Sequence, residues 1–272
     1  MKELFDLTGK VTVITGAGGV LCGTIAKALA KAGAKIAVWD INEEAAVRVV
    51  DEIKAGEGTA AAIKCNVLDK KSLQTAKEKT IAELGEIDIL INGAGGNKKE
   101  ATTSEQMSFF DLPAEAVRSV FELNFIGTFL ITQVVAMDMA DLGRGVILNI
   151  SSMSAFRPLT KVAGYSAAKA AVNSFTQWLA VHICRNYSRD IRVNAIAPGF
   201  FLTEQNRFLL TDEKTGEPTA RGRAIIEHTP MARLGRPEEL IGTVIWLLSD
   251  AAKFVTGIIV PIDGGFSAFS GV

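Results

Sequence analysis

Residues 11–40 read VTVITGAGGVLCGTIAKALAKAGAKIAVWD. A β-branched run, Val11–Thr15, gives way to glycines at Gly16, Gly18 and Gly19, then to an amphipathic stretch, Thr24–Ala32, then to a second apolar run, Ile36–Asp40. Strand, glycine turn, helix, strand is the context that turns a glycine cluster into a dinucleotide signal. Glycines there let the backbone approach a pyrophosphate without side-chain clash, and the following helix aims unpaired N–H groups at the anion. Asp40 ends the second strand about 20 residues past the turn, where a carboxylate accepts both ribose hydroxyls and repels a 2′-phosphate. The unit therefore predicts an NAD site, with NADP the less favoured coenzyme. The competing reading of Asp40 is a cap for the helix that opens at INEEAA, a role that Asn42 would serve as well.

The alternation continues outward from this unit. Further strands are expected at Ala60–Cys65, Ile87–Asn92, Val146–Ile150, Arg192–Ala197 and Ile258–Ile262, and further helices at Glu43–Ala55, Lys70–Glu83, Ala114–Met139, Ala163–Asn186 and Pro237–Leu248. The strands are apolar almost throughout, as strands of a parallel sheet covered on both faces are. Right-handed crossovers then give a doubly wound, three-layer α/β sandwich of the Rossmann type, read as one domain over residues 1–272. Residues 200–229 interrupt the pattern with a long polar stretch, FFLTEQNRFLLTDEKTGEPTARGR and its flanks. Because it follows the carboxyl end of a strand, it is expected to be a substrate lid; the alternative is a tolerated surface insertion.

Composition narrows the function. Among 272 residues, 48% are hydrophobic, 22% are charged and the net charge is −1, which leaves no one-signed field to recruit nucleic acid or a membrane surface. Cys22, Cys65 and Cys184 are scattered and odd in number, so free thiols in a reducing compartment are expected, and the reading is cytoplasmic. His182 and His228 stand alone, which supports neither a metal site nor a Ser-His-Asp triad.

The chemistry concentrates in GYSAAKAAVNSF, which sets Tyr165 and Lys169 one turn apart on a helix face. Free tyrosine has a pKa near ~10, and lowering it by about 3 units needs roughly 4 kcal/mol, within reach of two nearby positive charges in a dry cleft. A surface pair is the commoner meaning of such a spacing. Ser152 changes the odds: it follows the strand VILNIS and precedes Tyr165 by 13 residues, so its hydroxyl can hold a substrate oxygen while Tyr165 moves the proton. Ser151 should face the other side of that strand.

These residues, with INGAG at Ile91–Gly95, Asn124 in ELNFIGTF, NISS at Asn149–Ser152, YSAAK at Tyr165–Lys169, APGFFLT at Ala197–Thr203 and VPIDGG ending at Gly265, resemble the short-chain dehydrogenase/reductase family over nearly the whole chain. The resemblance implies a seven-stranded parallel sheet and a homotetramer. It implies Tyr165 as general acid/base, Lys169 as its activator and ribose ligand, Ser152 orienting the carbonyl and Asn124 anchoring a proton-relay water. It places coenzyme contacts at Gly16, Gly18, Gly19, Val20, Leu21, Asp40, Asn66, Val67, Asn92, Ala94, Gly95, Tyr165, Lys169, Pro198, Gly199, Phe201 and Thr203. Val20 and Cys22 stand where the family's turn has its later glycines, Asn66 where it often has an aspartate, and Gly93 where it has a second asparagine.

Within the family, the turn TGAGGVLCG, the extension GAGGNKKEATT and PGFFLTEQNRFLL resemble a sugar-acid branch, the D-mannonate oxidoreductases or fructuronate reductases. A hexuronate needs a cation and polar groups. Asn97, Ser154, Arg157, Asn206 and Arg207 are the candidate substrate residues, with Arg157 as a bidentate carboxylate clamp. A keto-gluconate reductase, or another ketone or alcohol dehydrogenase, would use much the same groups. An NAD-binding sensor without turnover is the non-enzymatic alternative.

Overall fold

The computed structural model describes residues 2–203, 210–212 and 215–271. Seven strands, β1 (Val11–Thr15), β2 (Lys35–Asp40), β3 (Ala60–Lys64), β4 (Ile89–Asn92), β5 (Gly145–Ile150), β6 (Ile191–Pro198) and β7 (Ile259–Ile262), form one sheet in the order β3-β2-β1-β4-β5-β6-β7. Every pairing is parallel, as the unbroken apolar runs predict. The chain reverses its winding between β1 and β4, so a crevice opens at their carboxyl ends, where open α/β sheets bind ligands.

Among the described residues the α-helices are α1 (Val20–Lys31), α2 (Glu43–Ala55), α3 (Lys70–Leu84), α4 (Ala114–Phe121), α5 (Gly127–Leu142), α6 (Ala163–Asn186), α7 (Ala220–His228) and α8 (Ile241–Leu248). One face of the sheet is covered by α1, α2 and α8, through Ile25, Leu29, Val49, Ile53, Val244 and Leu247. The other is covered by α3, α5 and α6, through Leu73, Ile131, Val135, Phe175 and Leu179. These are the two apolar cores of a three-layer sandwich. The run 114–142 is long and apolar enough to cross a membrane by length and composition. Here α5 packs on β4, β5 and α3.

Three departures have local causes. First, α1 starts at Val20, four residues earlier than the apolar periodicity indicates, because Gly19 serves as its N-cap with no side-chain bond. Second, the expected helix 114–139 is split: residues Glu122–Ile126 form a π-turn between α4 and α5, and α5 runs on to Leu142, ending at Gly143 in the left-handed region. Third, the polar segment after β6 contains α7, capped by Thr219, whose side chain accepts from Gly222 N. Gly222 inside that helix hid it from periodicity.

Candidate active site

A cleft of about 660 Å³ lies at the carboxyl ends of β1, β2, β4, β5 and β6. At its floor, Thr15 Oγ1 accepts from Gly93 N (3.0 Å) and Ala94 N (3.1 Å), tying the end of β1 to the loop after β4. Gly16 turns between them with φ +65°, and a Cβ there would stand 2.9 Å from Ala94 Cα. The backbone N–H groups of Val20, Leu21 and Cys22, in the first turn of α1, have no partner among the described residues. Three orphaned donors at a helix N-terminus, over a turn whose close approach demands glycine, fit a pyrophosphate.

Asp40 hangs over the same turn. Its Oδ2 accepts from Gly18 N and its Oδ1 from Asn42 N, both at 2.9 Å. The helix cap is Asn42, which accepts from Ala45 N at 3.1 Å. Asp40 is thus available at the cleft wall, where ribose hydroxyls would meet it, and the capping alternative falls to its neighbour. Asn66 and Val67 line the far end beside Cys65, and Pro198, Gly199, Phe201 and Thr203 the near end. Among the expected coenzyme residues, Asn92 alone turns away. Its Nδ2 donates to Thr132 Oγ1 (3.0 Å) and Asn149 Oδ1 (2.8 Å) inside the sheet core, so it holds β4 to β5 rather than facing a ligand.

The catalytic candidates converge on one wall. The first turn of α6 carries Tyr165, and its second carries Lys169, which is 5% exposed. Lys169 Nζ donates to Ile150 O at 2.8 Å and lies 5.6 Å from the centre of the Tyr165 ring. Ser152, just past β5, faces Tyr165, while Ser151 Oγ turns to Asn173 Oδ1 at 2.5 Å, as strand alternation requires. Burial raises the Tyr165 phenol above its ordinary pKa, against a smaller lowering by its hydrogen bond to Ser152. Burial likewise brings Lys169 down to about 8. The expected acidification of the phenol by Lys169 is thus not seen in the chain alone: desolvation outweighs the bond to Ser152.

Asn124 sits in the π-turn, fully buried. Its Oδ1 accepts from Gly96 N (3.1 Å), its Nδ2 donates to Gly96 O (2.7 Å), and Thr128 Oγ1 donates to its carbonyl (2.9 Å). Its carboxamide clamps the loop after β4 and is not directed at the cleft.

The expected substrate residues are dispersed. Asn97 is exposed and donates to Thr102 Oγ1, and Ser154 is 1% exposed with no partner for its hydroxyl; neither lines the cleft. Arg157 is exposed, with Nε donating to Ser267 O at 3.2 Å. Asn206 and Arg207, and part of the expected lid, lie outside the described residues. Sequence reasoning missed Trp39, Ile150 and the pair Cys22–Gly93 in the cleft wall. A Cβ at Gly93 would fall 2.2 Å from Cys22 Sγ. Two of the four departures from the family's pattern, Cys22 and Gly93, therefore touch, and their joint departure was the available clue.

The family model described as enoyl-(acyl carrier protein) reductase matches residues 19–267. A crystal structure of a candidate D-mannonate oxidoreductase from Haemophilus influenzae, with bound NAD, is 47% identical over 98% of both chains, with a TM-score of 0.92. The chain is 37% identical to 7alpha-hydroxysteroid dehydrogenase of Escherichia coli K12, over 95% of its own length and 94% of that protein's. It is 34% identical to 5-keto-D-gluconate 5-reductase of the same strain, over 97% and 98%.

Proposed function

The chain belongs to the short-chain dehydrogenase/reductase family, as an NAD(P)-dependent oxidoreductase acting on CH–OH groups, and from that premise we propose that it interconverts a keto sugar acid and its alcohol, D-fructuronate and D-mannonate, with NAD preferred. The carrying observation is the convergence of Ser152, Tyr165 and Lys169 on a cleft whose floor fits a dinucleotide. The bound coenzyme supplies or accepts the hydride. Ser152 orients the carbonyl oxygen by hydrogen bonding. Tyr165, protonated at neutral pH because its phenol is pushed up, gives its proton to that oxygen as carbon is reduced. Lys169 stands behind the phenol as a buried cation within reach of the ribose, and Asn124 positions the Gly96 loop. Asp40 selects NAD by meeting the ribose hydroxyls and repelling a 2′-phosphate.

The sugar-acid reading is supported by the likeness to the Haemophilus protein and by Arg157. The Arg157 terminal Nη groups have no partner among the described residues and are free for a carboxylate. A keto-gluconate substrate is the second reading, favoured by the 5-keto-D-gluconate 5-reductase relative. Unpaired thiols fit a reducing, cytoplasmic setting. Fructuronate, tagaturonate and keto-gluconates should be screened with NADH and NADPH by absorbance. Turnover of fructuronate with NADH is expected, and activity confined to hydrophobic ketones overturns the assignment. Tyr165→Phe should lower kcat by roughly 10²–10⁴; wild-type turnover in that variant refutes the mechanism, and nucleotide binding without turnover in the wild type would establish a sensor.

A further inference from the structure

We propose that Phe266 is a positioning residue for the substrate side of the cleft, holding α7 and Phe200 in place through an aromatic clasp. The proposal rests on the reading of the cleft above, but not on which carbonyl compound enters it.

The residues after β7 make a compact turn. Asp263 Oδ1 accepts from Gly265 N and Oδ2 from Ser267 N, both at 2.9 Å, which fixes the backbone on either side of Phe266. From this turn, contacts run to each of three segments. The ring of Phe266 meets Phe200 edge-on, with centroids 5.3 Å apart and planes at 61°. It meets His228, the last residue of α7, at 4.6 Å and 65°. Phe269 adds a second ring to His228 at 5.1 Å. Ser267 O accepts from Arg157 Nε, joining the turn to the loop that carries Ser152. Gly264 O accepts from Met231 N, just past α7.

These contacts matter because of what else holds α7. Most of the other helices pack broadly on the sheet or on a neighbouring helix, whereas among the described residues α7 is not packed extensively against any strand or helix element, and its N-terminal end meets Leu210 at Thr219 and Gly222. Its C-terminal end is docked by the clasp. Phe200, the other partner of Phe266, lines the coenzyme cleft and also the adjoining cavity of about 230 Å³, whose wall includes Thr229, Met231 and Asp263. One ring therefore spans the wall next to the reacting end of the cleft and the helix beside it. Edge-on aromatic pairs are worth about 0.5–1.5 kcal/mol each beyond the area they bury, so losing two at once changes an equilibrium by roughly tenfold. The coenzyme floor at Gly16, Asp40 and Val20 lies on other elements and is not reached by the clasp.

The test uses the full chain as wild type, Phe266→Ala, Phe266→Leu and Phe266→Tyr. NADH affinity is read by fluorescence titration, steady-state kinetics with whichever carbonyl the wild type reduces, and amide hydrogen exchange by peptide. Phe266→Ala is expected to raise the carbonyl KM roughly tenfold, to raise the NADH Kd by a much smaller factor because only the Gly199–Phe201 edge of the coenzyme site adjoins Phe200, and to speed exchange in 220–229 and 199–201 while the sheet stays protected. Phe266→Tyr, which keeps the ring, should restore all three; Phe266→Leu serves if the alanine variant does not fold. Unchanged exchange in 220–229 overturns the proposal, and so does a parallel rise in NADH Kd and carbonyl KM. A wild type that reduces no sugar acid but another carbonyl refutes the substrate assignment alone, because the exchange and KM readouts still decide the clasp.

Discussion

Lys169 shows what a single buried charge does to the balance between stability and chemistry. Its pKa of about 8, against an ordinary 10.5, means that below pH 8 the fold carries the whole penalty of a desolvated ammonium, at most about 3 kcal/mol. Between pH 8 and 10.5 the unfolded chain holds a proton that the folded chain has released, so this contribution makes stability rise with pH. Lys169→Met should therefore be inactive yet more stable than wild type at pH 7, by about 1–2 kcal/mol after loss of the bond to Ile150 O, with the gap closing toward pH 10. Denaturant melts across that range check it, and a less stable variant contradicts it. Gly93 is a second residue-scale case. Gly93→Ala forces its Cβ against Cys22 Sγ and also to within 2.7 Å of Thr15 O. A loss of about 1–3 kcal/mol is expected, partly recovered by Cys22→Gly, because only the sulfur contact is relieved. The Tyr165–Lys169 pair and Ser152 were legible because helix and strand periodicities fix where their side chains point. The raised phenol was not, since desolvation depends on everything packed around it.

At the scale of elements, the strand–turn–helix unit at 11–40 carries separable duties on neighbouring residues. Asn42 caps α2 and Asp40 faces the cleft, bound to Gly18 N. Asn42→Ala should cost about 1 kcal/mol of stability with NADH affinity unchanged. Asp40→Asn should leave stability nearly untouched and shrink the preference for NADH over NADPH by tenfold or more, on the order of one charge–charge repulsion. Measuring both nucleotides in both variants checks the assignment; a fall in NADH affinity in Asn42→Ala defeats it. The strands were readable to within one or two residues because both faces of each are buried. The π-turn at Glu122–Ile126 and α7 were not. The first leaves the apolar pattern almost intact, and the second is placed by an aromatic clasp from a distant part of the chain. Of the expected substrate residues, Asn97 bonds within its own loop and Ser154 is buried, while Arg157 uses only its Nε on the C-terminal turn.

For the molecule as a whole, the outer faces of α5 and α6 expose Met137, Trp178 and Val181, each more than half accessible, with Tyr187 just beyond. Trp178 stacks on His182 at 4.6 Å, which stiffens this patch. By contrast the rings of Phe266 and Phe269 pack on Phe200 and His228 of the same chain. We therefore expect association through α5 and α6. Light scattering should give a multiple of 29.0 kDa, and Trp178→Glu should reduce it; a wild-type monomer at micromolar concentration contradicts this. The coenzyme-binding half was open to inspection in the sequence because it is built locally from consecutive elements. The substrate half joins residues more than 100 positions apart, as the Arg157–Ser267 bond does. β7 lies at the edge of the sheet. The nucleotide-binding strands β1 and β2 precede it in the chain by more than 200 residues, yet the turn after it docks α7. Without β7 and the turn after it the fold keeps its floor for a nucleotide but loses the wall for its reactant, because Phe266 and Ser267 reach back to Phe200 and Arg157 from there.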